Sequence, residues 1–200
     1  MKHTRVEEIL ELIKQKGVIR SRDLDPYSIP RTYLQRLHQS KLISKIGRGL
    51  YTLSDIQVTE HHTFAEAAKR VPHGVLCLLS ALRFHELTSQ APYEIWMAID
   101  RKSRLPKIDY PVVKFVRFSA QALTAGVEKH LIDGVEVKVY NPSKTVADCF
   151  KYRNKIGMDI AIEALKDCRS QRKCTMDEIW HYSGICRVTK VMKPYLEVIL

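Results

Sequence analysis

The chain has 200 residues, of which 45% are hydrophobic and 28% charged, and 33 Lys+Arg against 22 Asp+Glu give a formal net charge of +11. That balance excludes a wholly disordered chain and allows one large or two small domains with a core, and no apolar run approaches the ~20 residues a membrane span needs. An excess of cations this large points to a polyanionic partner.

The charge is unevenly placed. Residues 1–55 carry 11 basic and 6 acidic side chains, residues 56–150 carry 12 and 10, and residues 151–200 carry 10 and 6. The first segment is the most basic per residue. Its opening Met-Lys-His-Thr-Arg-Val-Glu-Glu has charge but no apolar stretch behind it, so a cytoplasmic protein is expected. The cysteines, Cys77, Cys149, Cys168, Cys174 and Cys186, are odd in number and contain no C-x-x-C pair. Reduced, mostly buried thiols are expected, with no metal and no other cofactor.

In chain order, Thr4 and Glu7 form a capping box, and Val6, Ile9, Leu10 and Ile13 follow as one apolar stripe. This predicts a helix from about Thr4 to Lys16, stopped at Gly17. Ser21 is placed to cap a short second helix, Arg22–Asp25, ended by Pro26. A third helix is predicted from about Pro30 to Ser40, with Ile29, Tyr33 or Leu34, and Leu37 facing inward. Arg31, Thr32, Gln35, Arg36 and Gln39 then lie mainly on the outer side. Arg pairs with guanine and phosphate and Gln with adenine, so this face has the groups that read a duplex.

Leu42–Ile46 and Leu50–Leu53 read as strands joined by Gly47-Arg48-Gly49, a basic hairpin directly after the third helix. Lys45 sits on its first strand and Arg48 at its tip, within reach of phosphates or a minor groove. Three helices and a hairpin make a winged helix-turn-helix over residues 1–55. Its candidate DNA-binding residues are Ser21 and Arg22 at the turn, the five outer residues of the third helix, and Lys45 and Arg48 on the wing. A polar linker, 54–60, leads to a second domain over residues 60–200.

The runs Gly17-Val-Ile-Arg-Ser-Arg-Asp-Leu, Ile29-Pro-Arg-Thr-Tyr-Leu-Gln-Arg-Leu and Ile46-Gly-Arg-Gly-Leu-Tyr resemble the N-terminal domain of AbiEi-family antitoxins. Those are the regulatory halves of type IV abortive-infection toxin–antitoxin systems. The resemblance implies that Arg31, Thr32, Gln35, Arg36 and Arg48 stand on the family's DNA-contacting face.

In the second part, Thr63–Arg70 reads as a helix ended by Pro72, and the apolar run Val75–Leu87 as a buried helix. Tyr93–Asp100 and Val112–Phe118 read as strands. Val127–Ile132 and Val135–Tyr140 flank Asp133-Gly134, a hairpin turn. Helices are predicted at Lys144–Lys151 behind an Asn141 cap, at Asp159–Asp167, at Met176–Tyr182 behind a Thr175/Glu178 capping box, and at about Val188–Ile199, bent near Pro194. The whole is α+β: a winged helix-turn-helix, then a larger mixed α/β domain with C-terminal helices. Leu79-Ser-Ala-Leu-Arg-Phe-His-Glu-Leu-Thr and Tyr140-Asn-Pro-Ser-Lys-Thr-Val-Ala-Asp-Cys-Phe-Lys-Tyr-Arg look like the AbiEi C-terminal antitoxin domain, as do Ala161-Ile-Glu-Ala-Leu and Met192-Lys-Pro-Tyr-Leu. That resemblance implies repression of the chain's own operon at inverted repeats and action against a nucleotidyltransferase-like toxin.

Other motifs carry less. Ser143-Lys144-Thr145 lacks the glycine a phosphate loop needs, and Lys144 and Asp148 are spaced to pair along a helix. Glu136 and Lys138, with Asp100 or Asp109, are the residue set of a metal-dependent nuclease, although alternation on the wet side of a hairpin also generates them. The expected protein is therefore a non-enzymatic DNA-binding antitoxin and autorepressor, a monomer or weak dimer that cooperates on double-stranded DNA. The alternatives are a stand-alone transcriptional regulator, a nuclease using Glu136 and Lys138, and a protein-interaction module without DNA affinity.

Overall fold

The computed structural model describes residues 4–47, 49–54, 61–90, 92–108 and 110–199. The chain divides into two compact units, residues 1–69 with 131–136, and residues 70–130 with 137–200. Arg48, Asp109 and the linker beyond Ser54 lie outside the described residues.

The first unit begins with α1 (Arg5–Lys16). Both halves of its capping box form: Glu7 N donates to Thr4 Oγ1 (3.3 Å) and Thr4 N to the Glu7 carboxylate (2.8 Å). The buried face is Ile9, Leu12 and Ile13, with Val6 and Leu10 half-buried, so the stripe is rotated toward Leu12 relative to the sequence reading. Gly17 follows at φ +63, a conformation that suits glycine.

Next comes β1 (Ile19–Arg20), which periodicity cannot detect in two residues. The second helix is a 3-10 helix over Ser21–Tyr27 that contains Pro26. It is not capped by Ser21. Instead Asp23 Oδ2 accepts Arg20 N (2.9 Å) from inside the first turn. The third predicted helix is α2 (Thr32–Gln39), and Pro30 and Arg31 form a tight lead-in whose carbonyls accept Tyr33 N and Leu34 N, both at 3.1 Å. β2 (Ile43–Gly47) and β3 (Leu50–Leu53) complete a three-stranded sheet in the order β1-β3-β2. A bulge between Lys45 and Gly47 kinks the wing before its tip. Ile9, Ile13, Ile19, Leu24, Ile29, Leu34, Leu37 and Ile43 share one core.

α3 (His62–Arg70) follows. The same unit includes Leu131–Glu136, the tip of a later hairpin. There Asp133 Oδ2 lies 2.9 Å from His62 Nδ1. A Cβ on Gly17 would collide with the Asp133 carbonyl, so two glycines, 17 and 134, permit this approach.

The second unit is built on β4 (Val75–Leu76), β5 (Ile95–Asp100), β6 (Val113–Phe118), β7 (Val127–Ile132) and β8 (Val135–Tyr140), in the order β6-β5-β4-β8-β7. β4 pairs antiparallel with β5 and parallel with β8, and β5 pairs parallel with β6. The run predicted as one helix, Val75–Leu87, opens as the central strand: Leu76 sits between Met97 and Val139. The chain turns at Leu78 (φ +47) into α4 (Leu78–Phe84). A short apolar run buried on all sides suits strand and helix equally, and only the pairing decides.

The remaining helices are α5 (Ala120–Thr124), α6 (Pro142–Lys151), α7 (Arg153–Ile156), α8 (Met158–Ser170), α9 (Met176–Cys186) and α10 (Thr189–Ile199). Asn141 Oδ1 caps α6 through Lys144 N (2.8 Å). Glu178 accepts Thr175 N (2.9 Å) and Ser143 Oγ (3.1 Å), and these bonds, the Thr175 N–H first, hold its carboxyl below the usual range.

Every residue of α6 from Ser143 to Phe150 is buried. Lys144 Nζ meets Asp148 Oδ2 at 2.6 Å, beneath the rings of Tyr140 (4.2 Å) and Phe118 (4.9 Å), and Cys186 Sγ donates to Asp148 Oδ1 (3.2 Å). Burial, and after it the Asp148 charge, pushes the thiols of Cys77, Cys149 and Cys186 up, so they stay protonated. All five cysteines are free and buried.

Candidate nucleic-acid interface

α2 positions most of the candidate residues. Leu34 and Leu37 enter the core, and Thr32, Gln35, Arg36 and Gln39 form an exposed i, i+3, i+4, i+7 stripe on the opposite side. From Thr32 to Gln39 the helix rises about 10 Å, close to the ~12 Å width of a B-DNA major groove. Arg36 lies 5.9 Å above the half-buried Tyr33 ring, which limits its swing.

Arg31 is also exposed, but its guanidinium is engaged. Its Nη2 donates to Asp25 Oδ2 (2.8 Å) and Oδ1 (3.0 Å), and Nε to Oδ1 (3.3 Å). Arg22 is exposed on the 3-10 helix, Ser21 is half-buried beside it, and Lys45 is exposed on β2. Arg48 belongs to the segment outside the described residues.

Acidic groups near this face are neutralised within the unit. Burial raises the Asp23 carboxyl, but the Arg20 N–H and Lys69 (3.0 Å) outweigh it and hold the group below the usual range. Asp25 is matched by Arg31. The outward cations therefore stand without an opposing free carboxylate from either acid. Sequence reasoning missed both pairings, because Lys69 is far from Asp23 along the chain and Asp25 lies outside the third helix, so only the fold forms them.

Among the described residues, the alternative nuclease set does not assemble. Glu136 and Lys138 do lie on the outer side of β8, alternating with buried Val135, Val137 and Val139. Lys138 Nζ, however, donates to the Pro72 carbonyl (3.1 Å), and Asp100 Oδ1 accepts Lys102 N (2.7 Å). Among the described residues, no group of three His, Cys, Asp or Glu side chains could hold a metal ion. No helix among them is long and apolar enough to cross a membrane.

α2 beside the small β1-β3-β2 sheet, followed in the chain by a larger α+β unit, is a winged-helix-like arrangement. Residues 7–54 match the family AbiEi_4, transcriptional regulator, AbiEi antitoxin. That match spans 48 of the 200 residues, and over them the chain is similar to those transcriptional regulators. No curated protein sequence matches the chain. Among solved structures, the fold is similar to the crystal structure of the Rv2827c protein from Mycobacterium tuberculosis. The TM-score is 0.61 at 11% identity over 92% of this chain and 72% of that one.

Proposed function

We propose that this chain is a cytoplasmic, DNA-binding antitoxin that represses its own operon through the winged helix and counters a nucleotidyltransferase-like toxin through its second domain. Capture is electrostatic: exposed Arg22, Arg36 and Lys45 take phosphates and displace counterions. α2 then enters the major groove, Gln35 and Gln39 read base edges, Arg31 exchanges its Asp25 partner for a base edge or phosphate, and the wing with Arg48 fixes the register. No cofactor takes part. A single winged unit covers one half-site, so a monomer or weak dimer cooperates on an inverted repeat.

One observation carries the reading: the polar Thr32–Gln35–Arg36–Gln39 stripe is exposed while Leu34 and Leu37 anchor the same helix. The test is fluorescence anisotropy on the duplex upstream of the chain's own reading frame and on a scrambled duplex of equal length. Gln35→Ala should weaken the first by about 1–3 kcal/mol and leave the second unchanged. Equal loss on both duplexes rejects base reading by α2. The toxin half is tested first by the neighbouring reading frame: a nucleotidyltransferase-like gene there supports it, its co-expression with the full chain should then restore growth, and its absence points to a stand-alone regulator.

A further inference from the structure

A second cationic surface lies in the larger unit. After Asp100 the chain reads Arg101-Lys102-Ser103-Arg104-Leu105-Pro106-Lys107-Ile108, four cations with no acid among them. All four cations are exposed. None of them makes a side-chain ion pair or hydrogen bond with a described residue, and the nearby Glu94 is paired with Lys114 (3.3 Å).

The backbone beneath these side chains is pinned. Arg101 N donates to Phe118 O (3.0 Å), Ser103 N to Asp100 O (3.1 Å), and Lys102 N to Asp100 Oδ1 (2.7 Å). From β6, Arg117 Nη1 donates to the carbonyls of Arg101 and Ser103 (3.0 Å to the latter). Tyr152 Oη donates to the Arg117 carbonyl (3.3 Å) and ties β6 to the helical layer. The Arg117 guanidinium and the Asp100 carboxylate thus hold the backbone of the turn, and the four other cations are exposed on it. Like charges on a fixed turn repel one another, and a polyanion relieves that repulsion.

We propose that this turn is a second phosphate-contacting surface for duplex DNA, adding sequence-independent contacts to those of the winged helix. The proposal rests on the DNA-binding reading above. Residues 1–55 supply 11 basic against 6 acidic side chains, less than half of the net +11, so much of the excess charge lies outside the reading domain. Arg101 and Arg104 suit forked contact with phosphate, Lys102 and Lys107 suit point-charge contact, and a set of one sign with no acid among it complements a uniformly charged polyanion better than a mixed-charge protein rim. That composition favours DNA over a protein partner.

The test uses the full chain. Lys102→Ala/Arg104→Ala removes two cations from the turn, and Arg172→Ala/Lys190→Ala removes two exposed cations elsewhere as the control for net charge. Thermal melts confirm that both fold. Affinity for the upstream duplex and for a scrambled duplex is then measured across a salt series. The turn variant should bind both duplexes about tenfold more weakly, and its log–log salt slope should fall by about 1–2, near 0.9 per lost phosphate contact. The control should keep the wild-type slope. Equal changes in the two variants, or an unchanged slope in the turn variant, overturn the proposal. So does a turn variant that binds DNA normally but no longer retains an acidic protein partner. A wild-type chain that binds neither duplex fails the underlying reading as well, and is recognised by that wild-type result.

Discussion

The Lys144–Asp148 pair sets the sharpest expectation for stability. Lys144 and Asp148 are 0% and 2% exposed at the side chain. Taking away the carboxylate leaves an ammonium among rings and aliphatic carbon, where it has no water to return to. Breaking one side of such a pair costs about 3–5 kcal/mol, against a typical total of about 5–15. Asp148→Ala should therefore lower the midpoint of urea unfolding sharply, followed by the fluorescence of buried Trp96. Lys144→Met/Asp148→Leu keeps the volume and removes both charges, and should recover to within about 1–2 kcal/mol of wild type. Lys144→Met alone adds a test by pH. Burial raises the Asp148 carboxyl above its free value of 3.8, and Lys144 is the main influence opposing this. A folded pKa above the unfolded one favours the protonated native state. Relative to the double variant, Lys144→Met should thus be least destabilised below about 3.8 and progressively more destabilised as pH rises through the raised value. Asp148→Ala within about 0.5 kcal/mol of wild type, or a double variant worse than the sum of the singles, would refute the argument.

Three further outcomes follow from single contacts. Asp25→Asn releases Arg31 and removes a negative charge from the face proposed to contact DNA; scrambled duplex should bind a few-fold more tightly and the preference for the upstream duplex should fall, and an unchanged preference refutes a role for the pair. His85 donates from Nε2 to Tyr140 O (2.7 Å), and burial holds it below its free value of 6.5, so its contribution is present above about pH 6.5 and lost as pH falls. Wild type should lose more stability than His85→Gln between about pH 7.5 and 5.5, and parallel losses exclude this histidine as the cause. Gly17→Ala meets both a positive φ and the Asp133 carbonyl, and should destabilise by more than about 1 kcal/mol in a thermal melt; an unchanged melting temperature contradicts the close approach.

The hairpin Val127–Ile132/Val135–Tyr140 was legible to the residue, because Asp-Gly is a turn signal and both strands alternate. α1, α6 and α9 declare their starts through caps at Thr4, Asn141 and Thr175, which are local chemistry. The inward and outward faces of α2 also followed from period alone. What stayed hidden depends on distant partners. β1 and β4 are two-residue strands defined by Tyr51, Leu50, Met97, Ala98 and Val139 across the sheet. The Lys144–Asp148 spacing was visible, but spacing alone does not tell a buried pair from a solvated one. The basic turn after Asp100 was diluted by averaging charge over residues 56–150, where it is nearly balanced by acids elsewhere.

Discrimination arithmetic limits what one copy of α2 can do. A good bidentate side chain–base pair is worth about 1–3 kcal/mol, and an eight-residue helix has room for roughly two such pairs. That gives about 30- to 10⁴-fold preference, too little against the ~10⁶–10⁹ competing sites of a genome. Two copies on one operator multiply the preference, provided both half-sites face the same side of the duplex. Half-sites should therefore be spaced by about 10–10.5 base pairs or a multiple. Inserting about 5 base pairs between them turns the second half-site to the opposite face. The binding isotherm should then split into two independent, weaker events, and an insertion of about 10 base pairs should restore part of the cooperativity. Equal affinity for the half-turn and full-turn spacings would mean that one copy suffices, and that α2 gains its discrimination from contacts other than the Gln35–Gln39 stripe.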